Sequence, residues 1–342
     1  MSDDAPGTAD FPAAPAVTPF AFPAGTPPAY EAPVLRPRYG LAFTLLALTF
    51  FTTTTLGSVL AVWSRGLPAD EWPWLAPGLV LRVWSEPRLL TTGLAFSLPV
   101  LTILLCHEMG HYLACRRYRL AATLPYFLPL PVMLGTLGAF IRIRSPLRDR
   151  RQLFDVGVAG PLAGFAALLP FLAYGVAHSS VVPLAPPAGL SRLVPGPCLA
   201  LDLAVRLFHA PLPPDAALAL HPTALAAWFG LLATAINLLP LGQLDGGHLL
   251  YALVGRRRQR RLAVPLWLAL AATGFFWGGW LVWCGVVLLM GLFHPPVVDE
   301  TAPLGRSRQL VAALALLILV LSFMPRGAAD VGGDAAPPGA SE

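Results

Sequence analysis

Long apolar runs constrain this chain more than any other feature of its sequence. Runs such as LLTTGLAFSLPVLTILL, at 89–105, recur along the 342 residues, and only 12% of all residues are charged. A soluble domain has about 25% charged residues, whereas about 18 or more consecutive apolar residues are enough for a transmembrane helix. The sequence therefore predicts a polytopic membrane protein.

The apolar runs predict an all-α fold of about six to seven transmembrane helices. Two of the spans are closely spaced and turn near Gly278 and Gly279. With seven spans, the approximate ranges are 40–63, 90–115, 154–178, 223–254, two within 262–293, and 309–325.

Arginine clusters between the spans predict the orientation of the chain. If seven spans alternate across the membrane, every cluster falls on the same side, and the positive-inside rule makes that side cytoplasmic. We therefore expect a multi-pass protein of the cell inner (plasma) membrane, with the loops 64–89 and 179–222 on the opposite side. The bilayer is its expected environment. No aromatic-basic interleaving suggests a nucleic-acid partner. The clusters are Arg36 and Arg38; Arg116, Arg117 and Arg119; Arg142, Arg144, Arg148, Arg150 and Arg151; residues 255–261; and Arg306 and Arg308.

The two ends of the chain differ in composition from the apolar middle. Residues 1–35 are rich in Ala and Pro, have no basic leader region, and predict a disordered tail rather than a secretory signal. Residues 326–342 predict a second disordered tail. One transmembrane domain is expected at 36–325, with its core at about 90–254.

One apolar segment, at 121–145, does not fit a transmembrane helix. It contains three prolines and two glycines within 125–138, a density that excludes a regular helix. Its part LGAFIRIRS alternates apolar and polar residues, as a strand does. Non-helical backbone at membrane depth must be buried in protein or line a cavity. The segment is therefore either a re-entrant β-hairpin beside a site or a loop at the membrane surface.

The motif HEMGH, at 107–111, places three ionisable side chains in the second predicted span. Such groups are costly in a membrane and indicate function. His107 and His111 are four residues apart, which puts both rings on one helix face as zinc ligands. Glu108 is then placed beside the two histidines, where it could take a proton from a water molecule bound to the metal. The alternative is a pair of hydrogen-bonded core histidines, which would bury three polar groups without purpose.

The fourth predicted span supplies the remaining polar groups, in NLLPLGQLDGGHLL at 237–250. A catalytic zinc needs a third protein ligand, and Asp245 is the carboxylate available there. Pro240 and the neighbouring glycines should break the helix locally. Asn237 is expected to hydrogen-bond a substrate carbonyl or its developing oxyanion, or else another helix. His248 is expected outside the ligand set, either in the layer of residues around the ligands or near the cytoplasmic interface.

These motifs resemble the site-2 protease family of intramembrane zinc metalloproteases. The resemblance rests on HEMGH in one span, VAGPLAG at 158–164 opening the next, and NLLPLGQLDGG in a later one. The late motif HPPVVDE, at 294–300, resembles a bacterial and chloroplast branch of the family. The resemblance covers about 90–254, and VAGPLAG by itself predicts close helix packing through small residues.

The resemblance implies one Zn²⁺ held by His107, His111 and Asp245, with Glu108 as general base. It also implies that Asn237 orients the substrate or stabilises the developing oxyanion, and that the 121–145 hairpin offers an edge strand to an extended substrate. The expected reaction is regulated intramembrane proteolysis, the hydrolysis of a peptide bond in or near a transmembrane segment of a membrane protein. The loop 179–222 is too short for the PDZ module of many bacterial members.

Rival functions are less consistent with the sequence. A prenyl-processing zinc protease takes a later glutamate as its third ligand, but no Glu lies between Glu108 and Glu300. A catalytically silent zinc-binding scaffold would be expected to have lost Glu108 or a ligand. A transporter would be expected to show internal repeats. The sequence thus favours a zinc metalloendopeptidase, with no oligomeric state predicted.

Overall fold

The structure, a computed structural model, describes residues 38–68, 77–130, 135–188 and 190–332. The predicted tail at 1–35, and the predicted tail from 333 onwards, lie outside these residues. The described chain is mostly helical, as predicted. Its helices are α1 (Tyr39–Trp63), α2 (Pro77–Ser85), α3 (Pro87–Arg117), α4 (Arg150–Ala177), α5 (Leu199–Phe208), α6 (Pro222–Leu238), α7 (Asp245–Val254), α8 (Arg256–Thr273), α9 (Gly279–Met290) and α10 (Gly305–Ser322).

Four of these helices, α1, α3, α4 and α10, are long and apolar enough to cross a membrane. They lie at the predicted first, second, third and last spans. The apolar helices α6 and α9 are shorter, with 17 and 12 residues, and α8 begins with five arginines among its first six residues. The predicted spans are therefore occupied by helices, while the total of seven crossings stays a prediction.

Short strands accompany the helices and form three small antiparallel sheets among the described residues. Strand β2 (Tyr126–Pro129) pairs with β3 (Thr136–Phe140) at the place where the sequence predicts a hairpin. The other two sheets join segments of the loops 64–89 and 179–222 and of the C-terminal tail, in which no strand was predicted: β1 (Leu67–Pro68) with β5 (Leu190–Val194) and β7 (Ala329–Gly332), and β4 (Ser180–Pro183) with β6 (Ala216–Ala219).

The predicted C-terminal tail differs from the structure at its beginning. Residues Ala329–Gly332 form β7, whose backbone pairs with all of Ser191–Val194 in β5. Backbone hydrogen bonds to a strand distant in sequence hold these residues, although their own composition carries no strand periodicity. The ordered chain thus extends at least to Gly332 rather than ending near Arg326.

Helix α3 lies at the centre of the bundle and packs against α1, α4 and α6. Small residues allow these close approaches: a Cβ at Gly93 of α3 would overlap the backbone of Thr54 in α1. The largest hydrophobic cluster includes Phe96 of α3 and Trp228 of α6, both of which are fully buried. This packing fixes α3, which carries the HEMGH motif, on several sides.

Candidate metal centre

Helix α3 supplies three of the predicted site residues from its C-terminal half. His107, Glu108 and His111 are all buried, with 7–8% of each residue exposed. Four residues separate the two histidines, slightly more than one helical turn, so their ring centroids lie 4.9 Å apart. The helix geometry thus brings both Nε2 atoms to one place, as the spacing predicts.

Asp245 reaches the same place from the first residue of α7. Helix α6 ends at Leu238 and α7 begins at Asp245, so the predicted helix break is present. The backbone folds tightly here: a Cβ at Gly246 would overlap the carbonyl of Leu238, and one at Gly247 would overlap that of Gly242. The glycines therefore permit the close backbone approach that delivers Asp245.

The three side chains form a compact set of metal-ligand atoms. His107 Nε2 and His111 Nε2 are 3.2 Å apart, and each lies 3.3 Å from Asp245 Oδ2. Two ligand atoms bound tetrahedrally to zinc at about 2.0–2.1 Å are about 3.3–3.4 Å apart. Two imidazole nitrogens and one carboxylate oxygen at this spacing therefore fit a Zn²⁺ ion, with one coordination position left open.

Helix α4 holds the histidine rings in place from the opposite side. The carbonyl of Val156 is 2.7 Å from His111 Nδ1, and because a carbonyl can only accept, Nδ1–H donates. Nε2 is then the unprotonated nitrogen of the neutral ring and is available to a metal. A Cβ at Gly160 would overlap the His111 ring, and one at Gly164 would crowd His107. The VAGPLAG motif thus supplies space for the histidines as well as close packing.

Glu108 is the fourth member of the cluster. Its carboxyl group is buried and interacts with the backbone of Ile141, just beyond strand β3, and electrostatically with His111 and Asp245. Strand β3 itself packs against α3. The carboxylate therefore lies between the metal-ligand set and the β2–β3 hairpin.

The structure does not bring all the predicted residues into direct contact. Asn237 is half-buried near the end of α6, and its side chain has no hydrogen-bond partner among the described residues, so the alternative helix–helix hydrogen bond is not formed there. His248 lies outside the ligand set, as expected, and its Nδ1 is 2.7 Å from Nε2 of His294. Sequence analysis singled out the motif containing His294 but not this contact.

The comparisons with known proteins agree with this geometry. The family model described as peptidase family M50 matches residues 95–277. This match contains the C-terminal part of α3 and all of α7, the two helices that carry the candidate ligands. It covers more than half of the chain.

The relatives are plant proteins with related names. The probable zinc metalloprotease EGY1, chloroplastic, of Oryza sativa subsp. japonica is 29% identical over 84% of this chain and 50% of its own length. EGY1 of Arabidopsis thaliana is 27% identical over 84% and 53%. The probable zinc metalloprotease EGY2, chloroplastic, of Arabidopsis thaliana is 30% identical over 72% and 43%. The chain spans about half the length of these relatives.

The family match spans the segment that contains all three predicted ligands. The relatives are named zinc metalloproteases, and the three side chains form a set that fits zinc. The resemblance found in HEMGH, VAGPLAG and NLLPLGQLDGG is thereby confirmed. The chain belongs to peptidase family M50, the site-2 protease family of zinc metalloproteases.

Proposed function

We propose that this protein is an intramembrane zinc metalloendopeptidase that hydrolyses a peptide bond in or near a transmembrane segment of a membrane protein. The observation that carries the proposal is the buried meeting of His107, His111 and Asp245, with ligand atoms 3.2–3.3 Å apart, beside the buried carboxylate of Glu108. A merely structural role does not require a further buried carboxylate next to a three-ligand site.

His107 Nε2, His111 Nε2 and Asp245 Oδ2 would hold one Zn²⁺. When bound, zinc supplies Lewis acidity, which polarises the scissile carbonyl and makes water nucleophilic near neutral pH. The carbonyl of Val156 keeps His111 in the tautomer that offers Nε2, and Gly160 keeps space for that ring. Groups of the protein other than the metal thus fix the orientation of the His111 ring as a ligand.

Glu108 is the general base and then the general acid. Its carboxylate takes a proton from the attacking water, whose oxygen forms the new C–O bond to the scissile carbonyl carbon. Glu108 then gives this proton to the leaving nitrogen as the C–N bond breaks, which yields a carboxylic acid and an amine. A buried position excludes bulk water, which would otherwise exchange the proton.

Asn237 orients the substrate. It lies near the end of α6, eight residues before Asp245, where α7 begins, and its amide has no hydrogen-bond partner among the described residues. A free amide donor is suited to the scissile carbonyl and to the negative charge that develops on its oxygen. We assign Asn237 this role rather than a packing role.

The β2–β3 hairpin is proposed to re-enter the membrane and hold the substrate extended. Helical peptide bonds are shielded by their own hydrogen bonds, so a transmembrane substrate must unwind before cleavage, and pairing with a strand edge stabilises the extended form. Leu137 and Phe140 of β3 are exposed apolar side chains. Thr52 of α1 donates to the carbonyl of Gly135 at 2.6 Å, which fixes the hairpin to a membrane-spanning helix.

The arginine clusters support the placement of the active site toward the cytoplasmic side of a cell inner (plasma) membrane. Arg116 and Arg117 end α3 within two turns of His111, and five arginines begin α8 soon after Asp245. Water and protons would then reach the site from the cytoplasm. The domain that performs this reaction is 36–325, with 90–254 as its catalytic core.

Glu108→Gln in a reconstituted cleavage assay tests the proposal. The amide cannot accept a proton from water, so we expect cleavage of a single-span membrane substrate to fall at least about 100-fold. Glu86→Gln is the matched control, because Glu86 is an exposed residue whose partner is Arg82. Cleavage by Glu108→Gln at the wild-type rate would contradict the role of Glu108, whereas a wild-type chain that cleaves nothing would favour a catalytically silent scaffold or transporter.

A further inference from the structure

We propose that residues 290–300, here called the strap, position the helix that carries Asp245. This inference rests on the proposed function, because it concerns the third ligand of the proposed zinc site. The family-model match ends at residue 277, so the strap lies beyond the matched segment. It contains the HPPVVDE motif.

Three contacts join the strap to the segment around Asp245. Gln243, two residues before Asp245, donates from Nε2 to the Met290 carbonyl at 2.7 Å. Tyr251, on the following turns of α7, donates its hydroxyl to Glu300 Oε1 at 2.7 Å. Between them, His248 Nδ1 lies 2.7 Å from His294 Nε2. Because partner numbers rise together, the strap runs alongside α7 in the same direction and brackets the ligand.

The contact between the two histidines has a defined polarity. His294 Nδ1 lies 2.5 Å from the carbonyl of Pro295, which can only accept, so Nδ1–H donates. In the neutral ring, His294 Nε2 must then accept, and His248 Nδ1–H donates to it. This chain of hydrogen bonds fixes the orientation of both rings, and the His248 ring belongs to α7 one turn after Asp245.

Burial makes the contacts of Tyr251 and His294 stronger constraints than surface hydrogen bonds, whereas the Gln243 contact is exposed. Tyr251 is fully buried and His294 is 4% exposed, and their rings pack with centroids 4.5 Å apart. The Tyr251 hydroxyl also accepts from the backbone N–H of Val297 at 3.3 Å. An unpaired polar group at such positions costs about 1–3 kcal/mol, so the strap cannot leave α7 without a penalty.

The strap also connects α7 to the beginning of α4. Arg150 of α4 donates directly to the Ala252 and Leu253 carbonyls of α7 at 2.7 Å and 2.9 Å, and from Nη1 to the Glu300 carbonyl of the strap at 3.4 Å. The backbone N–H of Asp299 in the strap donates to the Arg148 carbonyl at 2.7 Å. Since α4 holds the His111 ring, the strap links the helix of the third ligand to the helix that supports the second.

Positioning is needed because Asp245 stands at an irregular point of the chain. It is the first residue of α7 and follows six residues without regular structure, 239–244. Metal sites require their ligands within about 0.5 Å of the productive geometry. Contacts at 243, 248 and 251 hold this junction on both sides, so the strap restricts where the Asp245 carboxylate can lie.

The test measures metal binding rather than cleavage. Tyr251→Phe and His294→Leu each remove polar contacts between the strap and α7. We expect each to weaken zinc affinity about 10–100-fold, as loss of outer partners of a metal site does, when the full chain in detergent competes with a chelator. The visible absorption spectrum of the Co²⁺-substituted protein should also change. His294→Gln, whose side-chain oxygen can still accept from His248, should restore both properties.

Trp228→Phe is the matched control for lost stability. It removes a buried hydrogen bond from Trp228 to the Gly196 carbonyl in a hydrophobic cluster that contains none of residues 239–244, so thermal stability should fall while zinc affinity and the Co²⁺ spectrum stay unchanged. Unchanged affinity and spectrum in folded Tyr251→Phe and His294→Leu would overturn the strap alone. A wild-type chain that binds no zinc would overturn the metal centre and the strap with it.

Discussion

At the residue scale, the site depends on two glycines that have no side chain as well as on the ligand side chains. Gly160 and Gly164 of α4 face the rings of His111 and His107, and a Cβ at either would collide with or crowd its ring. The motif VAGPLAG predicted close packing from small residues alone. The histidine rings occupy the space beside these glycines because of the way α4 crosses α3. A local sequence pattern does not encode that crossing.

Gly160→Ala tests this use of space. The added methyl group must displace the His111 ring, so we expect zinc content and cleavage to fall at least about tenfold, in line with the loss that misplaced metal ligands cause. Zinc content of the purified variant and its cleavage rate are the measurements.

Gly175→Ala is the matched control for Gly160→Ala. It adds the same methyl group to the same helix, where it would overlap the backbone of Ala224 away from the ligand set. We expect it to lower stability and leave bound zinc in place. Full zinc content and activity in Gly160→Ala would contradict the account of this glycine.

The site residues themselves were predictable to different degrees. His107, His111 and Asp245 could be predicted, because ionisable groups in apolar spans are costly and few, and the structure brings these three together. The contact of His248 with His294 could not, because it joins residues 46 positions apart through a segment of irregular backbone. The Val156 carbonyl, which orients His111, has no sequence signal, since every residue carries one.

At the element scale, the sequence predicted those elements that long apolar runs form or that prolines and glycines interrupt. It did not predict short elements that lack such signals. Pro240 and Gly242 correctly predicted the break between α6 and α7, and the Pro-rich segment 121–145 contains the predicted strand pair. Helix α5 (Leu199–Phe208) was not predicted within the loop 179–222. Its ten residues have apolar side chains at helical spacing, but prolines on both sides gave the stretch the composition of a loop.

The beginning of α6 makes a prediction about pH. His221 precedes the helix, and its Nδ1 accepts from the backbone N–H of Thr223 at 3.2 Å, a contact that only the unprotonated nitrogen can make. Burial, together with the nearby His178 and Arg65, lowers the pKa of His221. The unfolded chain therefore binds more protons than the folded one, and stability decreases as the pH falls through about 6.5.

His221→Asn should weaken that pH dependence. Asparagine caps helices well and does not titrate in this range. Between pH 7.5 and pH 5.5, we expect the melting temperature of wild type to fall further than that of the variant, because only the wild type has this histidine to protonate. Thermal unfolding in detergent at both pH values measures this difference, and parallel slopes for the two proteins would contradict the role of His221.

At the scale of the whole molecule, the proposed orientation places the candidate active site on the same side of the membrane as the arginine clusters. The clusters beside α3, α4, α8 and α10 lie on one side if the chain crosses the membrane as predicted, and the candidate ligands are close to that side in sequence. The fold adds what composition does not specify: three helices, α3, α4 and α7, must pack together before residues 107, 111 and 245 can meet.

Cysteine labelling in intact cells tests the orientation. Asp215 and Arg258 are both exposed and lie on opposite predicted sides. In a background without the four native cysteines, a membrane-impermeant maleimide should label Asp215→Cys in intact cells and Arg258→Cys only after the membrane is opened. The reverse pattern would contradict the predicted topology.

The metal content of the purified chain tests the central claim most directly. The account predicts about one zinc per chain in wild type, because three ligands and one open position form a catalytic zinc site. Asp245→Ala should lose most of this zinc, whereas Asp202→Ala, which changes an exposed carboxylate on α5, should retain it. Wild-type zinc content in a folded Asp245→Ala variant would contradict the assignment of Asp245, and with it the metal centre described above.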